Sequence, residues 1–263
     1  MKVLRAAIEI VRPGSSLLLF AMLFVPLVAR SHDVLTSLWR SIPMLLIGMC
    51  TFIANDLDDI ESDKVNHPER PLPSRNISQI LAAALYFVCL AAALLTTRFL
   101  VPSYVAFFYY LTITLTISYR YIVAFAPLVK APYCAATIAI PAVILLYYNA
   151  STPTAYRVVL AVFAFALGRE LCMDVVDRAG DARSVLHRVE ADAVAIHAFV
   201  LQGASLLLIL VSRAKLDLWA VMDLAAITGL SAVALVCWFG FRQRDRAVEV
   251  MKVQLMLGLY FLI

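Results

Sequence analysis

Nine apolar runs, at about residues 13–29, 37–54, 78–97, 101–118, 131–149, 155–173, 191–212, 217–239 and 248–263, take up most of the 263-residue chain. An α-helix needs roughly 17–25 mostly apolar residues to cross the hydrocarbon of a bilayer, and these runs have that length. A segment that crosses lipid must satisfy its backbone N–H and C=O groups by itself, which a helix does and an isolated strand does not. The chain is therefore expected to be an all-α integral membrane protein with nine transmembrane helices. Composition agrees: 63% of residues are hydrophobic and 15% charged, against about half and a quarter in a soluble domain. The net charge of +4 is no argument for a nucleic-acid partner, because in such a chain the position of charges matters more than their sum. Breaks between runs coincide with proline, charge clusters or both, and no soluble domain or low-complexity linker interrupts them, so residues 1–263 read as one polytopic domain. No small-residue cleavage site follows the first run, which is expected to be retained as a span. The ninth run is short and ends with the chain at Ile263. Cys50, Cys89, Cys134, Cys172 and Cys237 lie in or beside apolar runs without metal-ligand or disulfide spacing, and read as small hydrophobes.

Lysine and arginine set the expected orientation. With Arg40, Arg157, Arg169 and Lys252, which fall within runs, counted at the nearer run end, the N-terminal segment and the segments following the second, fourth, sixth and eighth runs hold 16 of them, and the remaining segments hold 6. Positive charge collects on the cytoplasmic side. The N-terminus and the even-numbered loops are thus expected inside, and the C-terminus outside.

Two of those inner loops carry an unusual density of negative charge. The first, NDLDDIESDKVNHPER, follows the second run, and within it Asp56, Asp59 and Asp63 stand three and four residues apart. On a helix those intervals stack side chains on one face, and Asn55, one turn before Asp59, adds an amide oxygen to it. The second, GRELCMDVVDRAGDARSV, follows the sixth run and repeats the spacing in Asp174, Asp177 and Asp181, 118 residues later. An acidic run alone is usually a solvated loop. Two with one spacing, at equivalent helix ends on the same side, argue for a shared task. Acids of an ion pathway sit in mid-span, whereas these sit at the ends. Oxygen ligands without histidine or cysteine suit magnesium, which takes one or two carboxylates together with water and substrate phosphates. Arg70 and Arg75 beside the first cluster, and Arg178 and Arg183 in the second, are placed to hold phosphate oxygens. A diphosphate bound in this way becomes a good leaving group, and the apolar helices behind it would receive a hydrocarbon tail.

The same residues resemble the UbiA superfamily of intramembrane prenyltransferases. Asn55, Asp56, Asp59 and Asp63 are similar to the family's N-D-x-x-D-x-x-x-D signature, and Pro68-Glu69-Arg70-Pro71-Leu72-Pro73-Ser74 to the P-x-R-P-L-P-S that follows it. Asp174, Asp177, Gly180 and Asp181 resemble D-x-x-D-x-x-G-D, with Arg169-Glu170 ahead of them. The resemblance implies a bundle of nine helices around a central cavity, with the two Asp-rich motifs at the cytoplasmic ends of helices 2 and 6. It implies magnesium-dependent ionisation of a prenyl diphosphate, with Asn55 and the six aspartates as metal ligands, and transfer of the prenyl group to an aromatic or other lipophilic acceptor. It also points to Lys130 as a diphosphate contact, where the sequence by itself reads equally as a snorkelling interfacial lysine.

Three departures keep a second activity open. Arg75 stands where a glycine commonly follows P-L-P-S, Ser184–Val189 replaces the usual G-x-x-T-L-P, and the loop from Tyr119 to Lys130 offers Arg120 and Lys130 in place of a basic pair. A terpene cyclase of the same superfamily would share the ionisation step and then close the cation onto its own double bonds. Tyr119 and Tyr121 read either as aromatic faces toward an allylic cation or as membrane-interface tyrosines. Tyr109, Tyr110, Tyr147 and Tyr148 read as interface or packing residues, His67 and His187 as solvated, and His197 as a packed histidine with a hydrogen-bonded partner.

Overall fold

The computed structural model describes residues 2–148, 153–180, 189–212 and 218–258. The described residues are helical almost throughout and contain no strand. They divide into two compact units, one formed by Met1–Ala126 with Ala179–Arg183 and the other by Pro127–Arg178 with Ser184–Ile263.

The first unit holds α1 (Lys2–Ile10), α2 (Pro13–Ser31), α3 (Val34–Asp58), α4 (Ile60–Asn66), α5 (Gln79–Leu100) and α6 (Ser103–Phe125). Local chemistry sets its boundaries. Pro13 opens α2, where a missing N–H costs nothing. Asp33 caps α3 by accepting from the Thr36 N–H at 3.0 Å, and bonds to Thr36 hold its carboxyl below the usual carboxylate range. Ser78 caps α5 in the same way, accepting from the Leu81 N–H at 3.2 Å. The prolines at 68, 71 and 73 cannot extend a helix, so the chain between α4 and α5 runs as successive turns. Helix α3 packs on α2, α5 and α6. Its approach to α2 depends on Gly48, where a Cβ would lie 3.1 Å from Leu19 Cδ1 and 3.3 Å from Ser16 Cα. Hydroxyls within these helices turn back on the preceding turn, as Thr51 does to the Ile47 carbonyl at 2.9 Å, and the Thr51 and Thr116 hydroxyls meet at 3.0 Å.

The second unit holds a short 3₁₀ turn (Pro127–Val129), then α7 (Lys130–Tyr148), α8 (Pro153–Asp177), α9 (Ala191–Ser212), α10 (Leu218–Leu235) and α11 (Arg244–Gly258). Helix α8 packs on α7, α9 and α11. Gly168 of α8 is so close to α9 that a Cβ would come within 2.6 Å of the Ala198 carbonyl oxygen. Between α10 and α11 the chain makes a π-helical turn, Val236–Gly240. Trp238 of that turn is fully buried and donates from Nε1 to Asp192 Oδ1 at 3.3 Å, while Arg242 pairs with Asp192 at 2.5 Å.

Among the described residues, five stretches are long and apolar enough to cross a membrane: Lys2–Ser31, Val34–Asp58, Gln79–Leu100, Pro127–Tyr148 and Ala191–Val211. Several differences from the sequence reading have clear causes. Helix α1 precedes the first apolar run; it is amphipathic, burying Ala6 and Ile10 against Ile53, Leu72, Ile77 and Ala82 and leaving Val3, Leu4 and Ile8 exposed. A nine-residue helix of mixed polarity carries no span signal. Helix α3 continues through the acidic residues to Asp58, because backbone bonding does not stop where hydropathy does. Helix α11 begins at Arg244 rather than residue 248 for the same reason. Tyr109 is a packing residue, buried with its hydroxyl on the Arg40 carbonyl at 2.7 Å. His197 has the expected hydrogen-bonded partner, its Nδ1 lying 2.7 Å from the Ala193 carbonyl oxygen, but its side chain is exposed and not packed.

Candidate functional site

The first acidic motif spans a break in the helix. Helix α3 ends at Asp58, Asp59 adopts φ −96° and ψ 12°, and α4 restarts at Ile60. The three carboxylates are therefore not carried by one uninterrupted helix, as their spacing alone suggests. The turn-to-turn bonding survives the break all the same. The Asp59 N–H donates to the Asn55 carbonyl at 2.8 Å, and the Asp63 N–H to the Asp59 carbonyl at 2.7 Å. Asp56, Asp59 and Asp63 thus remain one turn apart while their environments diverge: Asp56 and Asp63 are only 4% and 3% exposed, and Asp59 is exposed.

Burying a carboxylate is costly unless it is paired, and both buried ones are. Asp56 accepts from the Arg12 guanidinium, which also lies over the Phe52 ring at 5.5 Å. Asp63 Oδ1 accepts from Arg70 Nη1 at 2.6 Å. The second oxygen of Asp63 is buried without a hydrogen-bond partner. Asp58 pairs with Arg120 at 3.3 Å, an exposed contact of little energetic weight. Tyr119 beside it is half-buried, and Tyr121 is exposed.

Arg70 reaches Asp63 through the turn that the prolines impose. The Arg75 N–H donates to the Leu72 carbonyl at 3.1 Å and the Asn76 N–H to the Pro71 carbonyl at 3.0 Å, which brings Arg75 into the left-handed region at φ 58°. That conformation favours glycine, the residue expected at this position from the family resemblance. Arg75 thus occupies a glycine's conformation.

The second motif closes α8. Lys130, the first residue of α7, pairs with Asp174 at 2.8 Å. Arg169 pairs with its neighbour Glu170 at 2.5 Å, and its Nε is buried without a hydrogen-bond partner. Asp177 is half-buried at the helix end, and Arg178 donates from Nη1 to the Val189 carbonyl at 3.4 Å. Asp181, Arg183 and His187 lie outside the described residues. Gly180 belongs to the first unit. Its N–H donates to Asn66 Oδ1 at 2.9 Å.

The donor set, oxygen throughout, fits a hard cation. Among the described residues no three carboxylates, imidazoles or thiols are grouped closely enough to hold a metal by themselves. Magnesium does not need such a cage, because water and substrate phosphates complete its shell. The unpartnered, buried Asp63 Oδ2 is the kind of atom such a cation would satisfy.

Sequence reasoning missed Arg12, Asp58 and Asn66. Arg12 lies 44 residues from Asp56, with only the neighbouring Pro13 to mark it; its left-handed φ of 43° is invisible in sequence. Asp58 falls outside the three-then-four spacing.

The sequence profile of the UbiA prenyltransferase family matches residues 16–257. The chain belongs to that family. Among relatives, a digeranylgeranylglyceryl phosphate synthase from Sulfolobus acidocaldarius is 31% identical over 158 residues, covering 54% of this chain and 53% of that protein. A second, from Methanobrevibacter smithii, is 34% identical over 79 residues, covering 27% and 25%. The match thus spans about half the length of one relative and a quarter of the other. Among solved structures, one described as digeranylgeranylglyceryl phosphate synthase in membranes has a TM-score of 0.66 at 18% identity, covering all of this chain and 98% of that one. A UbiA homologue from Archaeoglobus fulgidus, bound to DMAPP and Mg2+, has a TM-score of 0.65 at 15% identity, covering 97% and 98%. The fold is that of UbiA homologues. Membership in the family, together with the apolar helices, makes the chain an integral membrane protein.

Proposed function

We propose that this chain is a single-domain prenyltransferase over residues 1–263, with nine spanning helices around an apolar cavity, that transfers a prenyl group from an isoprenoid diphosphate to a lipophilic acceptor. The observation that carries the reading is Asp63. It is buried, paired with Arg70 and left with one oxygen unpartnered, inside an N-D-x-x-D-x-x-x-D motif of a UbiA family member.

In this reading both motifs serve one site. Asn55, Asp56, Asp59 and Asp63, together with Asp174, Asp177 and Asp181, would hold magnesium. Magnesium, when bound, neutralises the charge that develops on the departing diphosphate. Arg70, Arg120, Lys130, Arg169 and Arg178 supply donors to phosphate oxygens. The bond between the prenyl C1 and the diphosphate oxygen breaks, and its electron pair leaves with the diphosphate. Apolar walls keep water from the allylic cation, and the Tyr119 ring offers it a π-face. The acceptor's nucleophilic atom then bonds to C1 and gives up its proton. The magnesium and DMAPP of the Archaeoglobus homologue support this choice of cofactor and donor. The names of the relatives make a glyceryl phosphate lipid the first acceptor to try, ahead of an aromatic one.

The deciding experiment supplies purified protein with magnesium and geranyl, farnesyl or geranylgeranyl diphosphate, first alone and then with an acceptor. A transferase yields only slow hydrolysis to prenyl alcohol until the acceptor is added. A cyclic terpene formed at multiple turnovers without acceptor, seen by gas chromatography with mass detection, would establish the cyclase instead.

The orientation is part of the proposal and rests on the 16-to-6 division of Lys and Arg. In a background lacking the five native cysteines, Ser74→Cys and Ser184→Cys are expected to resist an impermeant thiol reagent in intact cells and to label after permeabilisation. Labelling of either in intact cells reverses the topology.

A further inference from the structure

The contact between Asn66 and Gly180 joins residues 114 apart in sequence, and nothing in the spacing of the aspartates calls for it. Asn66 is the last residue of α4, one turn beyond Asp63. Its side-chain oxygen takes the Gly180 N–H at 2.9 Å. Gly180 has no room for a side chain there. A Cβ would collide with the Ser62 carbonyl oxygen, and would lie 2.8 Å from Asn66 Nδ2 and 2.9 Å from Asn66 Cγ. No glycine among the described residues has positive φ. The requirement at 180 is therefore one of space and not of backbone conformation. Both halves of this contact are short and specific, and both lie against the helix that holds a buried metal-ligand candidate.

We propose that Asn66 is a positioning residue for the reaction: by binding the Gly180 amide, it ties the end of α4, the helix that carries Asp63, to the glycine of the second motif. The inference rests on the proposed two-motif magnesium site. It adds a residue outside the aspartate spacing and a reason for the glycine within D-x-x-D-x-x-G-D. Asn66 would touch neither metal nor substrate. Its effect would run through the placement of Asp63 one turn earlier on α4, so its loss should weaken metal binding more than it slows turnover at saturating metal. Gly180→Ala should do the same from the other side, by pushing the backbone off α4.

Two readouts separate this role from general packing. In Asn66→Leu, which keeps side-chain bulk without an acceptor, the magnesium concentration giving half-maximal turnover is expected to rise at least tenfold, with kcat at saturating magnesium within about threefold of the parent. Binding of Mn2+, followed by electron paramagnetic resonance in the presence of a non-hydrolysable prenyl diphosphate analogue, should weaken in parallel. Asn66→Asp retains an oxygen acceptor and should restore most of the affinity. Independently of turnover, amide exchange in a peptide covering residues 176–183 should accelerate in Asn66→Leu and Gly180→Ala and stay near the parent rate in Asn66→Asp. Unchanged metal affinity in Asn66→Leu overturns the proposal, as does equal damage from Leu and Asp, or a loss of kcat alone. If the parent protein neither turns over nor binds Mn2+, the prenyltransferase reading falls. The exchange experiment would still decide whether Asn66 holds Gly180.

Discussion

Asp59→Ala combined with Asp177→Ala is expected to reduce release of diphosphate from a prenyl diphosphate by at least about three orders of magnitude, with the fold retained. Asp59 is exposed at the break between α3 and α4, so its truncation opens no cavity in the core. The expected loss is therefore chemical. Removing one group that stabilises developing charge typically costs about 10²–10³ in kcat, and groups that act as a unit lose most of the rate at the first substitution. Each single variant should thus come close to the double one. Thorough chelation of divalent cations should match them. Turnover that survives chelation, or a double variant within tenfold of the parent, would refute the two-motif magnesium site.

Arg70→Ala is expected to damage stability as well as activity. Asp63 is buried and Arg70 is the donor to its Oδ1 at 2.6 Å. Removing one partner of a buried ion pair leaves the other charge uncompensated, at a cost of roughly 3–5 kcal/mol, or on the order of 10 °C in the unfolding midpoint. Asp63→Asn added to Arg70→Ala removes that stranded charge and should recover most of the lost midpoint while leaving turnover abolished. Arg70→Lys keeps the charge without the planar fork, and should fall between. A single Arg70→Ala variant that melts with the parent would show that the pair contributes nothing to the fold.

Much of the helical architecture could be read from hydropathy, because lipid imposes both a length and a helical backbone on any segment that crosses it. The apolar run at 78–97 reappears as α5, Gln79–Leu100, with Ser78 as its cap. Hydropathy could not show where a helix continues beyond its apolar part. That is why α3 extends to Asp58 and why α1, with its mixed faces, went unseen. At the site, spacing was enough to single out Asp56, Asp59 and Asp63, since helical intervals are local. It could not foresee the break at Asp59, which separates an exposed carboxylate from two buried ones. Nor could it find Arg12 or Asn66, whose partners lie 44 and 114 residues away; contacts at such separation leave no periodic trace. Arg75 is an intermediate case. Its departure from the family's glycine was visible in the sequence, but the left-handed φ of 58° that explains the glycine was not.

The pairing of Arg12 with Asp56 also has a consequence for biogenesis. Arg12 emerges from the ribosome 44 residues ahead of its partner, a delay of roughly 2–9 s at ordinary rates of synthesis. Throughout that interval it flanks the first apolar segment as an uncompensated cation, the kind of charge that biases the direction in which a segment enters the bilayer. Once Asp56 arrives the cation becomes a counter-ion, and α1, whose apolar face needs Leu72 and Ile77, can settle only after a further stretch of chain has been made. One arginine can thus act first as an orientation signal and then as a clasp, and a substitution there would affect insertion before it affected the finished fold.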